Sequence, residues 1–123
     1  RTKLAPLLEK CDGEFFIDCI GKFNLSTYIN FIQAADGLIA NSTGPLHIAA
    51  LSNKDAFGIY PPIKPMHPGR WSPIGKHCQV FVLDKSCESC SLTQEACACM
   101  LAIQPMAVAE AIKQARQRKL NKL

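Results

Sequence analysis

The sequence lacks three features that would assign it at once to a membrane, an export pathway or a nucleic acid. No apolar run reaches the roughly 18 to 20 residues that cross a bilayer, and no signal-peptide pattern of charged, apolar and small residues is present. No block of like charge occurs before the basic segment "KQARQRKLNK", and the formal net charge is only +4. These absences predict a cytoplasmic protein without a nucleic-acid partner.

What is present predicts a single packed domain. The 123 residues, 48% of them hydrophobic, are enough to bury one core. Seven cysteines, an odd number in a chain without export signals, favour reduced thiols or a metal site over a disulfide framework. Leu4, Leu7 and Leu8 near Arg1 predict the end of an amphipathic helix, so we expect the natural protein to begin upstream.

Short apolar runs alternate with segments of helical periodicity along the chain. A proline-rich stretch, residues 61–75, fits neither type of element. This alternation predicts an α/β fold with a mostly parallel sheet flanked by helices. The predicted strands are residues 14–20, 36–40, 56–60 and 78–83, and the predicted helices are residues 24–35, 44–51 and 106–120.

The segment "NSTGPLHIAA", residues 41–50, leads from the second predicted strand into a helix. Ligands of parallel sheets bind beyond the carboxyl ends of the strands, where this turn is expected. Gly44 lets backbone approach a ligand, Ser42 and Thr43 supply hydroxyls, and Pro45 suits a first helical turn. The free amides of the helix start predict a phosphate site. The alternative is an ordinary helix cap made by a serine or threonine hydroxyl.

A longer string, "GKFNLSTYINFIQAADGLIANSTGPLHIAAL" followed by "FGIYPP" and "WSPIG", resembles the C-terminal domain of glycosyltransferase family 9. These are the ADP-heptose:lipopolysaccharide heptosyltransferases, and the resemblance covers about residues 14 to 112. Its most specific element is the family pattern D-[ST]-G-P-x-H-x-A-A, matched by "STGPLHIAA".

The resemblance implies a GT-B enzyme with two Rossmann-like domains facing a cleft. Residues 1–123 would form part of the C-terminal, donor-binding domain, while the N-terminal acceptor domain and its catalytic base would lie outside this chain. The implied reaction is sugar transfer, with inversion, from a nucleotide sugar such as ADP-heptose to a glycolipid. It implies no required cofactor, and the isolated chain is expected to be inactive. The implied donor-binding residues are Ser42, Thr43, Gly44, Pro45, His47, Phe23 and Asn24.

One position departs from the family pattern. Ser42 stands where the family usually has an aspartate associated with the donor sugar. A serine hydroxyl can exchange hydrogen bonds but carries no charge. The identity of the donor sugar is therefore less defined than its class, a nucleotide sugar.

Four cysteines fall in one short segment, "CESCSLTQEACAC". Cys87, Cys90, Cys97 and Cys99 could hold a structural zinc ion through four thiolates. The first pair has good ligand spacing and the second, C-x-C, is less usual. The alternative is a set of reduced or crosslinked cysteines without metal.

Three further features have two interpretations each. His47 could touch a phosphate or fix its loop through a backbone hydrogen bond. Arg70 could hold phosphate or acceptor, or could be a solvated arginine beside Trp71. The basic residues of the last helix could complement its dipole, or could attract anionic lipid at the inner membrane surface.

Two other classes of function compete with a transferase. The first is a GT-B-like nucleotide-sugar epimerase domain, which would also place phosphate at a helix start. The second is a non-enzymatic zinc or interaction module built on the cysteine segment. The residues upstream of Arg1 would discriminate: a preceding Rossmann-like domain of similar size, with an early acidic residue in a glycine-rich turn, favours the transferase, and its absence favours the module.

Overall fold

The computed structural model describes residues 2–11, 13–63, 68–83 and 98–123. Three strands form its sheet: β1 (Gly37–Asn41), β2 (Asp55–Ile59) and β3 (Cys78–Phe81). Six helices accompany them, after an opening 3-10 turn (Thr2–Leu4): α1 (Ala5–Leu8), α2 (Leu25–Ala34), α3 (Gly44–Leu51), α4 (Pro68–Trp71), α5 (Ala98–Leu101) and α6 (Pro105–Leu120).

The sheet is parallel throughout, in the order β1-β2-β3. Gly37 pairs with Asp55 at one end of the first ladder and Asn41 with Ile59 at the other. The central strand is buried along four of its five residues. Such burial on both faces requires helices above and below the sheet. The described structure is thus the expected α/β, Rossmann-like arrangement.

Helices α2 and α3 cover one face of the sheet. Ile32 of α2 and Leu46 of α3 are fully buried in a core that also contains Ala56 and Tyr60. The close approach of α3 depends on Gly58, because a Cβ there would lie 2.6 Å from Leu46 Cδ2 and 2.6 Å from the Tyr60 ring. A side chain at this position would force α3 away from β2.

Helix α6 covers the other face. Phe57, one residue from Ala56 and therefore on the opposite side of β2, packs against Ala111 and Ala115. Near the C-terminal end of α6, the Lys119 ammonium is 2.9 Å from an Asp55 carboxylate oxygen and donates to the Asp36 carbonyl at 2.7 Å. Asp36 and Asp55 lie at the amino ends of β1 and β2, so this end of α6 is fixed to the amino edge of the sheet.

The two ends of α3 are defined by local chemistry. Pro45 lies in its first turn, where the missing N–H costs no hydrogen bond. At the other end Asn53 adopts a left-handed φ of 57°. The Lys54 amide then reaches the Ala49 carbonyl at 3.0 Å and the Asn53 amide the Ala50 carbonyl at 3.1 Å, as in a Schellman motif.

The strand predicted at residues 14–20 is wrong. These residues form turns and irregular backbone, and the Phe15 side chain is fully exposed. Local bonds occupy the amides that a strand would need: Phe16 N donates to Gly13 O at 3.2 Å, and Ile20 N donates to Asp18 Oδ1 at 2.9 Å. Apolar composition alone therefore misassigned the segment.

The other predicted elements are present, with small changes of boundary. Each predicted helix and each remaining strand lies within a few residues of its prediction. The proline-rich stretch differs by one feature, because the short helix α4 occurs within residues 61–75.

Candidate functional site

The turn between β1 and α3 lies at the carboxyl edge of the sheet. β1 ends at Asn41 and α3 begins at Gly44, so Ser42 and Thr43 alone connect them. Thr43 occupies the cap position, with φ −134° and ψ 165°, but its side chain makes no capping hydrogen bond. Its hydroxyl instead donates to the Asn41 carbonyl at 3.0 Å. The alternative of a hydroxyl-capped helix is therefore not observed, and the amides of the helix start lack a side-chain acceptor.

Gly44 lies beside open space. A Cβ built on it would meet nothing within 4 Å, and its φ is not in the left-handed region. The backbone conformation of Gly44 therefore does not require a glycine. The close approach of a ligand to bare backbone stays a prediction, and the open space suits it.

Three side chains at the start of α3 are half-buried. They are Ser42, His47 and Pro45, the last of which lies in the first turn. Over the described ranges, neither Ser42 nor His47 makes a side-chain hydrogen bond. The backbone hydrogen bond considered for His47 is therefore absent there. Both side chains keep their hydrogen-bonding groups available beside the uncapped amides.

A cleft lies beside the start of α2. Asn24 caps this helix, accepting from the Thr27 amide at 2.8 Å. Phe23 stacks at a tilt on Phe31, with ring centroids 4.9 Å apart. The cleft measures about 440 Å³, within the range of small-molecule sites. Its lining residues are Cys19, Ile20, Gly21, Phe23, Asn24, Leu25, Tyr28 and Phe31.

Sequence reasoning found Phe23 and Asn24 in this cleft but missed its far wall. Tyr28 and Phe31 follow Asn24 by four and seven residues, the spacing of one helical face. This spacing places the two rings on one side of α2, but it does not distinguish a cleft wall from a core, where aromatic residues at helical spacing usually lie.

The chain topology places the cleft and the turn on the same side of the sheet. Only residues 35 and 36 separate the end of α2 from β1, so α2 runs back along the strand and begins near its carboxyl end. Helix α2 also packs against α3. An apolar cleft and an uncapped helix start therefore flank one edge, which is where open parallel sheets bind ligands.

The loop after β2 is anchored at this same edge. The Tyr60 hydroxyl donates to the Trp71 carbonyl at 2.7 Å. Burial, and secondarily the neighbouring Cys78, raises the pKa of Tyr60 above its ordinary value. Arg70 is exposed, with its guanidinium carbon 5.7 Å from the Trp71 ring centroid. This is the arrangement of a solvated arginine beside a tryptophan, and it leaves the guanidinium accessible.

Most of the predicted zinc site lies outside the described residues. Cys87, Cys90 and Cys97 fall in residues 84–97, while Cys99 is buried in α5. Within the described ranges there is no group of three or more histidine, cysteine, aspartate or glutamate side chains placed to hold a metal. The structural zinc therefore stays a prediction.

An uncapped helix start beside an apolar cleft at the carboxyl edge of a parallel sheet is typical of α/β domains that bind nucleotides or their sugars. Comparison with known proteins defines the class further. The family model for glycosyltransferase family 9 (heptosyltransferase) matches residues 1–101. The chain belongs to this family, which supports a glycosyltransferase over the epimerase and the non-enzymatic module.

A curated relative agrees with this assignment. It is a protein of Haemophilus influenzae (strain ATCC 51907 / DSM 11121 / KW20 / Rd) named "Putative glycosyltransferase", 40% identical over 50 residues. Those residues are 41% of this chain and only 14% of the relative, so the match spans a small part of the longer protein. No solved structure matches the chain.

Proposed function

We propose that this chain supplies the donor-binding part of a glycosyltransferase that moves a sugar from a nucleotide sugar, of the ADP-heptose type, to a glycolipid acceptor with inversion. The observation that carries the proposal is the start of α3. There Thr43 turns its hydroxyl away from the helix amides, and Gly44 has open space above it.

The donor diphosphate would lie over Thr43, Gly44 and Pro45. The helix dipole and the uncapped amides attract the two phosphates, and they stabilise the negative charge that grows as the sugar–oxygen bond breaks. The diphosphate is anionic both in the bound donor and as the leaving group, but the leaving diphosphate carries more negative charge. Its interaction with the helix start is therefore stronger in the transition state than in the bound donor.

The donor base would enter the cleft beside α2. Phe23, Tyr28 and Phe31 offer aromatic surface, and the carboxamide of Asn24 is already engaged with Thr27. A planar base fits such a cleft through stacking and through exclusion of water. His47 would contact the phosphates, and Arg70 would contact the phosphates or the acceptor.

The base that deprotonates the acceptor hydroxyl would come from a domain outside this chain. Direct displacement at the anomeric carbon needs this proton to leave as the acceptor oxygen attacks. We therefore expect the chain alone to bind donor without transferring sugar, and we expect the reaction to need no metal. The identities of the acceptor and of the donor sugar are parts of this proposal.

The sugar itself would lie near Ser42. A charge-assisted hydrogen bond contributes about 1.5 to 3 kcal/mol against about 1 for a neutral one, so exchanging a carboxylate for a hydroxyl shifts donor preference roughly twofold to thirtyfold. Ser42→Asp in the full-length protein should raise its use of ADP-heptose relative to its native donor.

The test is a competition assay between ADP-heptose and a panel of ADP-, GDP- and UDP-sugars, run on the wild type and on Ser42→Asp. Ser42→Asn serves as the matched control, because asparagine has the size of the aspartate variant without its charge. A wild type that already prefers ADP-heptose, with no gain in the variant, would make Ser42 irrelevant to donor choice. Failure of every nucleotide sugar to react would overturn the transferase itself.

A further inference from the structure

The charge of this chain is concentrated at its C-terminal end. Residues 110–123 contain five basic residues and one acidic residue, a net charge of +4, which equals the formal net charge of the whole chain. Residues 1–109 are therefore electrically balanced. Complementing the dipole of α6 requires cations only in its last turn, yet Lys113 and Arg116 lie before that turn.

One side of α6 combines this charge with exposed leucine. Lys113, Arg116 and Leu120 follow one another at intervals of three and four residues, which places them along one side of α6, and Leu123 lies in the turn that follows the helix and lines the same groove. We call these four residues the basic-apolar stripe. All are exposed, with Leu120 at 52% and Leu123 fully accessible. The side of α6 that faces the sheet carries Val108, Ala111 and Ala115 instead.

A groove of about 530 Å³ runs between this stripe and the sheet. Arg116, Leu120 and Leu123 form its outer wall, and Phe57 and Ile112 lie at its apolar base. Two carboxylates also line the groove. Asp55 is neutralised by its ion pair with Lys119, whereas Asp36 is exposed and offsets part of the positive charge.

We propose that the basic-apolar stripe binds the surface of an anionic phospholipid bilayer. Lys113 and Arg116 would pair with lipid phosphates, while Leu120 and Leu123 enter the boundary between headgroups and acyl chains. Interfacial helices combine these two contributions, charge attraction and apolar burial. Nucleic acid fits the stripe less well, because the stripe offers leucines where base stacking would need aromatic rings.

The orientation that follows leaves the carboxyl edge of the sheet free. The end of α6 is fixed at the amino edge through Lys119, and the β1–α3 turn lies at the other end of five-residue strands. Such strands span roughly 17 Å. Trp71, the only tryptophan of the chain, lies at this carboxyl edge and not in the stripe, since its carbonyl is held by Tyr60 just after β2.

Within the described residues, no helix is long and apolar enough to cross a bilayer. The proposed contact lies at the bilayer surface. Each basic side chain near an anionic surface contributes about 1 kcal/mol, which is about a fivefold change in partitioning. The proposal is independent of donor binding, because no residue of the stripe belongs to the α3 turn or the α2 cleft.

The experiment is vesicle co-sedimentation at low and at high salt. Vesicles contain phosphatidylglycerol and phosphatidylcholine in equal parts, and pure phosphatidylcholine serves as the neutral comparison. The wild-type chain should bind the anionic vesicles at low salt and dissociate from them at high salt. It should not bind the neutral vesicles. Arg116→Gln should lower the partition coefficient about fivefold, and Leu120→Gln roughly tenfold. Trp71 emission should not change on binding.

Arg118→Gln is the matched control. It removes the same charge from α6 two residues away, roughly 200° around the helix, so its loss of binding should be twofold at most. Equal losses for Arg116→Gln and Arg118→Gln would overturn the stripe as the binding surface. So would a blue shift of Trp71 emission, equal binding to neutral vesicles, or dimers that Leu120→Gln converts to monomers. Thermal unfolding by circular dichroism should be unchanged in Arg116→Gln and Arg118→Gln, because both side chains are exposed, and it shows the temperature range over which the half-exposed Leu120→Gln variant is folded and can be compared.

Discussion

The hydroxyl of Tyr60 and the backbone carbonyl of Trp71 are joined by a 2.7 Å hydrogen bond across eleven residues of sequence. Tyr60 is fully buried directly after β2, and Trp71 ends α4. A single buried side chain thus fixes the loop that carries Arg70 to the carboxyl edge of the sheet.

Replacing Tyr60 by phenylalanine should destabilise the chain by about 1 to 2 kcal/mol, because the hydrogen bond is lost while the ring stays packed. Urea denaturation followed by circular dichroism measures the change. Tyr28→Phe is the matched control, since the Tyr28 hydroxyl makes no hydrogen bond within the described residues. Equal effects of the two substitutions would show that the bond to Trp71 contributes nothing.

Stability should decrease at alkaline pH. Burial raises the pKa of the Cys78 thiol, and burial together with Cys78 raises the pKa of Tyr60. In the unfolded chain these groups ionise near pH 8.5 and about pH 10, so above those values the unfolded state binds fewer protons than the native state. The free energy of unfolding must then fall as pH rises.

Urea midpoints measured from pH 7 to about 10.5 test this dependence. Tyr60→Phe should remove the decline near the ionisation of the phenol and keep the earlier decline due to the thiol. A variant whose midpoint falls in parallel with the wild type over the whole interval would contradict the assignment to Tyr60.

The cap of α2 offers a local test. Asn24→Ala removes the 2.8 Å bond to the Thr27 amide and should cost about 1 kcal/mol. Asn30→Ala, in the interior of the same helix, should be neutral or slightly stabilising, because alanine has the higher helix propensity. Thermal unfolding distinguishes them, and the prediction is wrong if Asn30→Ala destabilises as much as Asn24→Ala.

The contact between Lys119 and Asp55 should stabilise the docking of α6. Asp55→Ala and Lys119→Met should each cost about 1 kcal/mol, and the double variant should cost less than their sum. Lys119 is 45% exposed on its side chain, so solvent screening keeps the coupling small. A double-mutant cycle in urea measures it, with Lys113→Met as the control. Strict additivity would mean that the pair is incidental.

Much of the fold was predictable because the apolar runs and the position of proline indicate the same boundaries of strands and helices. β2 reads as a short apolar run, and it is buried on both faces between α3 and α6. Pro45 marked the start of α3 to within one residue. Residues 14–20 read as a similar apolar run, but whether such a run forms a strand depends on a pairing partner, and composition does not encode one.

The site was predictable in position and less so in detail. The motif placed Thr43 and Gly44 at the carboxyl edge of the sheet, and topology placed Asn24 nearby. A threonine at a helix start can cap the helix or bond the preceding carbonyl, and only the backbone torsions decide that Thr43 bonds Asn41. The sequence likewise could not show that Tyr28 and Phe31 line a cleft, because their burial depends on how α2 meets residues 19–25.

The central claim, that a donor diphosphate lies on the start of α3, is tested most directly by calorimetry of nucleotide-sugar binding to Gly44→Val in the full-length protein. The added side chain enters open space, so the fold should be unaffected while the ligand loses its close approach to the backbone. We predict at least a tenfold weaker affinity, about 1.4 kcal/mol. Ala34→Val, exposed at the far end of α2, should bind as the wild type does. Unchanged affinity in a folded Gly44→Val protein would contradict the account.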